Sequence, residues 1–385
     1  SRIGGVLCFF WSHTLIPWER VHGNLAFIEA DVCNHFTICT EIEGAVIAEF
    51  FFIYPVGNTV EHLVIFSVFR YLRFAVTEKQ FDKVEINKDT IRVTEEEIRE
   101  AYDTIDPSLL DVIRKALVNI RTYHEKQIQN SWFTSTTDGT MLGQKVTPME
   151  TCGVYVPGGK AVYPSSVLMN IVPAHVAGVK NIIMTTPPGK DGKVTANTLV
   201  AAKEAGATKV YKVGGAQAIA AMAFGTESIP KVDKIVGPGN IFVALAKKAV
   251  YGNVSIDSIA GPSEILVLAD ETANPRYVAA DLLSQAEHDE MASAILVTTS
   301  EELAHKVSDE IDGFLNQLSR KEIMEKSLDS FGYILVASDM KEAIDTANAI
   351  ASEHMEIMTA NPFDVMTRIK NAGAIFIGAY SCEPL

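Results

Sequence analysis

The chain has 385 residues, 48% apolar and 21% charged, with mean hydropathy +0.14, enough core-forming material for two or three globular domains. Its 33 Lys and Arg against 48 Asp and Glu leave a net charge of -15, which argues against nucleic-acid binding, since no basic footprint is present to neutralise phosphates. Cys8, Cys33, Cys39, Cys152 and Cys382 are scattered, odd in number and without a CxxC, so the expected setting is the reducing cytoplasm and a thiolate zinc site has no support.

Residues 1–78 are unlike the rest. They hold ten of the 18 Phe and two of the three Trp, while all 22 Lys and all 11 Met come later. Glu49, Pro55, Gly57 and Glu61 interrupt every apolar run before the ~18–20 residues that a membrane span needs. Arg2 followed by Ile3 to Trp11 suggests a signal peptide, but the small-residue cleavage pattern is missing. The favoured reading is a stretch not selected together with the rest of the chain, as after a frameshift or an assembly error, and no function is assigned to residues 1–75.

From residue 79 the pattern becomes orderly. Thr94-Glu95-Glu96-Glu97 is a capping box opening a helix, and Asp106-Pro107 is an N-cap with Pro at the first helical position of the next. On that second helix Leu109, Ile113, Ala116, Leu117 and Ile120 recur at helical spacing as a core stripe. Asp138-Gly139 reads as a hairpin turn between Trp132-Phe133-Thr134 and Met141-Leu142. Strand-like runs at 154–156, 182–184, 210–213 and 234–236 are followed by helices expected near 166–177, 195–205, 216–224 and 240–250. Runs at 264–269, 294–298 and 333–336 continue the alternation, with helices near 275–288, 300–319 and 340–353. That order predicts an α/β fold of doubly wound parallel sheets, split into two units by a composition break near 250–260.

Ligands of such sheets bind beyond the carboxyl ends of the strands. Four loops there are rich in Gly and Pro: Val156-Pro157-Gly158-Gly159, Val213-Gly214-Gly215-Ala216-Gln217, Val236-Gly237-Pro238-Gly239-Asn240 and Ala260-Gly261-Pro262-Ser263. Any one alone reads as a tight turn; four together point to a nucleotide or another anion held by backbone N–H groups, although no GxGxxG is present. Gln285-Ala286-Glu287-His288 places an amide and an imidazole at i and i+3 on one helix face, two acceptable zinc donors where three or four are usual. Taken alone it reads as a solvated helix end. Glu353-His354, at the end of another helical stretch, offers an adjacent carboxyl and imidazole for acid and base work, a weak signal by itself.

These same loops carry a family resemblance. Gly153 to Gly159, Val213 to Ala220, Lys231 to Lys234 with Gly237 to Asn240, Ala260 to Glu264 and Asp281 to His288 resemble the histidinol dehydrogenases, and the likeness covers about four fifths of the chain. The resemblance implies a cytoplasmic, zinc-dependent homodimer that oxidises L-histidinol through L-histidinaldehyde to L-histidine with two NAD+. By the same resemblance Tyr155, Gln217 and Asn240 contact NAD+. Ser263, Gln285, His288 and His354 contact substrate, Gln285 and His288 bind Zn2+, and Glu353 and His354 carry the acid–base steps. It further implies two incomplete Rossmann-like units, one inserted in the other: residues 79–150 plus 254–385 as a first, discontinuous domain and 151–253 as the second, NAD-binding domain.

The sequence also departs from the family. A Gly-Asp step that follows the motif seen here as Ser381-Cys382-Glu383-Pro384-Leu385, and a later Glu and His, would lie past Leu385, which removes two of four zinc ligands and predicts poor zinc binding and slow or no turnover. Ser352 and Glu290 stand where Pro is usual, Ala379 where an acidic residue is usual and Cys382 where Pro is common. Two alternatives stay open: a related dehydrogenase of another small polar alcohol, and a catalytically dead nucleotide-binding protein.

Overall fold

A computed structural model describes residue 84 and residues 86–158 and 164–381, together with the backbone of short strands between Arg20 and Ser67. Among the latter, Phe27–Ala30, His35–Ile42, Ala45–Ile53 and Leu63–Ser67 pair antiparallel in chain order. The remaining expectations for residues 1–78, and Gly159 of the first Gly-rich loop, lie outside the described residues.

The capping box forms as its spacing demands. Thr94 Oγ1 accepts from Glu97 N at 3.2 Å and Glu97 Oε2 accepts from Thr94 N at 2.8 Å, which starts α1 (Glu95–Thr104). Asp106 caps α2 (Pro107–His124) by accepting from Ser108 N, and Ile113, Leu117 and Ile120 of the expected stripe are buried. Trp132–Ser135 (β1) and Met141–Gln144 (β2) form the expected hairpin, with Gly139 at φ +84° in its turn. All eight strand residues of the hairpin are exposed.

The first of two units ends at Ala260. Its sheet contains β3 (Thr151–Tyr155), β4 (Asn181–Thr186), β5 (Lys209–Lys212), β6 (Lys234–Val236) and β7 (Ser255–Ile256), ordered β5-β4-β3-β6-β7 with every pair parallel. Between the strands run α3 (Pro164–Val176), α4 (Ala196–Ala205), α5 (Gly215–Phe224) and α6 (Ile241–Val250). One face packs on α1 to α4 and the other on α5 and α6, which is why β3 and β4 are nearly continuous runs of buried residues. Residues 91–93 cover the edge strand β5, with Val93 N donating to Val210 O at 2.9 Å and Lys212 N donating to Ile91 O at 2.7 Å.

Residues 86–124 share their apolar core with the first sheet, and Ser255–Ile256 supplies that sheet's fifth strand. The physical reason is polar as well as apolar. Glu97 of α1 also accepts from the buried Lys212 Nζ at 2.7 Å, and Glu204 of α4 accepts from Tyr102 OH at 2.7 Å and from Arg114 Nε and Nη2 at 2.9 and 3.0 Å.

The second unit, from Gly261, repeats the plan with β8 (Glu264–Ala269), β9 (Ser293–Thr298), β10 (Gly332–Val336), β11 (His354–Met358) and β12 (Ala374–Ile377), ordered β10-β9-β8-β11-β12 and again all parallel. Its crossovers are α7 (Pro275–Ala286), α8 (Glu301–Leu315), α9 (Lys321–Phe331), α10 (Met340–Ile350) and α11 (Pro362–Met366), with α7 to α9 on one face and α10 and α11 on the other. The doubly wound α/β expectation therefore holds in both units. Not foreseen were α9, α11, β7, β12 and β11; the expected helix over 300–319 ends at Leu315 and α9 begins at Lys321.

The Glu204 and Glu97 carboxylates make two predictions. Glu204→Ala strands a partly buried Tyr102 hydroxyl, whose pKa burial and Glu204 push up to about 12, and also removes a two-point Arg114 contact. We expect a loss of about 1–3 kcal/mol in urea unfolding. Burial raises the Glu97 pKa, but the Lys212 and Thr94 hydrogen bonds outweigh it and hold the carboxyl below its ordinary 4.5. Its stabilisation is thus complete above that value and fades as pH falls through the lowered folded pKa, so Glu97→Gln should flatten the acid side of a stability-against-pH curve.

Candidate functional site

In the first unit the sequence-predicted residues gather at the carboxyl edge, around the point between β3 and β6 where the strand order reverses. Tyr155 ends β3, is 3% exposed, and its hydroxyl accepts from Gly215 N at 3.0 Å. Gln217 lies half-buried in the first turn of α5. Asn240 is exposed and caps α6, with Oδ1 accepting from Phe242 N at 3.1 Å and Val243 N at 3.2 Å. Two helix amino ends and two Gly-containing turns thus stand at this edge, an arrangement suited to an anionic cofactor.

The second unit uses the opposite edge. Ser263 immediately precedes β8, and Ser263 Oγ lies 3.4 Å from His288 Nδ1. His354 is the first residue of β11, not the end of a helix as expected, and its Nδ1 lies 3.1 Å from Glu264 O. A carbonyl only accepts, so Nδ1 carries a proton and the ring exchanges its other proton at Nε2. Glu353 Oε2 is 3.8 Å from the same Nδ1, with the Glu353 side chain 56% exposed against 18% for His354, and Glu353 N donates to Glu264 Oε2 at 3.3 Å. Two residues, Ser263 and Glu264, therefore hold both histidines at the amino ends of β8 and β11.

The expected carboxyl-edge location is corrected here by connectivity. α7 leaves the carboxyl end of β8 and recrosses the sheet, so its last turn, with Gln285, arrives at the amino edge. Gln285 is 1% exposed, while His288 is exposed and sits just past the end of the helix, its N–H donating to Gln285 O at 3.0 Å. Among the described residues no three His, Cys, Asp or Glu side chains converge as a metal cluster.

Four residues with evident local roles were not singled out in the sequence. Glu264 lay inside a quoted motif without a task. Lys247 interrupts the apolar stripe of Val243, Ala246 and Val250 on α6, which was the available signal, and Asp257 has no such marker. Asp281 of α7 hydrogen-bonds Glu356 of β11 behind the amino edge, and burial raises the Asp281 pKa above its ordinary value.

Comparison with known proteins gives the family. The profile of the family "Histidinol dehydrogenase" matches residues 72–385. Histidinol dehydrogenase from Bacillus licheniformis is 58% identical over 307 residues, covering 80% of this chain and 72% of that protein. The Bacillus subtilis enzyme is 59% identical over 306 residues, covering 80% and 71%. The crystal structure of histidinol dehydrogenase from Elizabethkingia anophelis matches with TM-score 0.78 at 40% identity, covering 80% of this chain and 71% of that one. Paired parallel sheets of this kind, with these relatives, define an NAD-dependent oxidoreductase. The chain belongs to the histidinol dehydrogenase family.

The backbone leading into Glu353 and His354 carries a strained residue. Ala351 closes α10 at φ +56°, in the left-handed region that a Cβ disfavours. We expect Ala351→Gly to raise stability by about 0.5–1 kcal/mol, read as a higher Tm by calorimetry.

Proposed function

We propose that the chain oxidises L-histidinol through L-histidinaldehyde to L-histidine, using NAD+ and zinc. The observation that carries this reading is the Glu353–His354 pair, with His354 Nδ1 at the Glu264 carbonyl and His288 anchored to the adjoining Ser263. Family membership supports the substrate. Tyr155, Gln217 and Asn240 are assigned to NAD+; Asn240 commits Oδ1 to its helix cap, so its NH2 group is what it offers a ligand. Ser263, Gln285, His288 and His354 are assigned to the substrate, with Gln285 and His288 also to zinc.

The donor chemistry fits: an imidazole nitrogen is an ordinary zinc ligand and an amide oxygen an acceptable one. When bound, NAD+ would supply the hydride acceptor, and zinc held by Gln285 and His288 would supply a Lewis acid that orients the substrate. His354 takes the hydroxyl proton at Nε2, since Nδ1 is kept protonated by the Glu264 carbonyl. Glu353, the more exposed of the pair, takes a proton from the water that adds to the aldehyde carbon. Buried Gln285 and the Ser263 hydroxyl orient the bound alcohol. The family supports a cytoplasmic homodimer as the working form, without a membrane or nucleic-acid partner; among the described residues no helix is long and apolar enough to cross a membrane.

The test is NADH formation on adding L-histidinol and zinc, followed to completion. Glu353→Gln should slow the aldehyde-to-acid half by about 10²–10⁴-fold and hold the yield near one NADH per histidinol, whereas His354→Asn should slow the first hydride transfer by a similar factor. Unchanged rates in both variants would overturn the assignment, and preference for another small polar alcohol would reassign the substrate.

A further inference from the structure

Both backbone groups of one glycine are held by the two partners of an ion pair. Gly237, at φ +112°, joins β6 to the turn that leads into α6. Its N–H donates to Asp257 Oδ2 at 2.8 Å, and its carbonyl accepts from Lys247 Nζ at 3.0 Å. Lys247 and Asp257 are themselves ion-paired, with the lysine 2% exposed in the middle of α6 and the aspartate just after β7. A Cβ built on Gly237 would lie 2.0 Å from Tyr155 O, so the peptide also lies directly against the end of β3. Three residues further on, Asn240 caps α6.

Burying the Lys247 ammonium costs solvation that its pairing with Asp257, whose side chain is 31% exposed, only partly returns, so the lysine's presence calls for a positional reason. Here that reason is geometric. The strand end, the helix and the neighbouring strand are each tied to a single peptide, and a glycine with φ +112° has the freedom to turn either way when released. We infer that Lys247 and Asp257 are positioning residues for the nucleotide site: by gripping Gly237 at both its N–H and its C=O they hold the Gly237-Pro238-Gly239-Asn240 turn in the form that presents Asn240 and the amino end of α6 beside Tyr155. The inference deepens the NAD+ reading proposed above and rests on it. Neither side chain touches the cofactor, and each acts through the glycine.

The experiment compares Asp257→Ala with Asp257→Asn in the full chain. Calorimetric titration with NAD+ should show binding at least about tenfold weaker in Asp257→Ala, with L-histidinol binding unchanged. Asp257→Asn keeps an oxygen for the Gly237 N–H and should fall between the native chain and Asp257→Ala, a ranking that mere loss of the charge would not produce. Amide hydrogen exchange provides a readout that needs no nucleotide: segment 237–243 should exchange at least about tenfold faster in Asp257→Ala, with the strands around it unaffected. If Asp257→Ala fails to fold, Lys247→Met, which loses the bond to Gly237 O and the ion pair but leaves Asp257 to hold the Gly237 N–H, is read in the same two ways. Native-like protection of segment 237–243 in these variants, or Asp257→Asn as severe as Asp257→Ala, overturns the inference. A native chain that binds no NAD+ sinks the nucleotide reading instead, and the exchange result still decides whether the grip exists.

Discussion

When every neighbouring pair of strands is parallel, the chain must recross the molecule after each strand, and this one constraint determines where every functional residue ends up. A residue just after a strand or at the start of a helix lies at the carboxyl edge; one at the end of a helix or the start of a strand lies at the amino edge. Both units obey it with the same strand order, β5-β4-β3-β6-β7 and β10-β9-β8-β11-β12. Tyr155, Gln217 and Asn240 belong to the first class of position, and Gln285, His288, Glu353 and His354 to the second. The two groups of candidate residues are thus placed by one topology read from opposite ends.

The starts of elements were legible in the sequence because their chemistry is local. Thr94 with Glu97, Asp106 with Pro107, and Asp138-Gly139 each satisfy backbone groups within a few residues, and each forms as expected. The alternation of strand-like and helical runs likewise led to the correct fold class. β11 was hidden because His354-Met355-Glu356-Ile357-Met358 lacks β-branched enrichment and places a glutamate at a position only 3% exposed, so that nothing local separates it from a continuing helix. What makes it a strand is pairing on both sides, with Ile265 opposite His354 on one and Ala374 on the other.

The candidate site was legible as residue types and not as an arrangement. The dipeptide Glu353-His354 was visible, but the carbonyl of Glu264, which decides which nitrogen of His354 carries its fixed proton, is a backbone group some ninety positions away and leaves no mark in composition. Gln285 and His288 had the spacing of a helix face, yet α7 ends between them, and one is buried while the other is exposed. The polar contacts that join distant segments, Glu97 with Lys212 and Glu204 with Arg114 and Tyr102, explain why residues 86–124 belong to the first sheet, and these too are invisible to any short window.

The carboxyl edge of the second unit is held together by its own polar contacts. Asp270, at the end of β8, accepts from Thr272 N within its own turn and from Ala360 N after β11, and so laces two loops together. The turns at 270–274, 299–300 and 359–361 carry none of the residues assigned to substrate or metal. In most sheets of this kind those are the loops where activity is won or lost. Under the assignment proposed above, they are instead loops where a fluorescent label or an inserted peptide can be carried at a distance from the assigned residues.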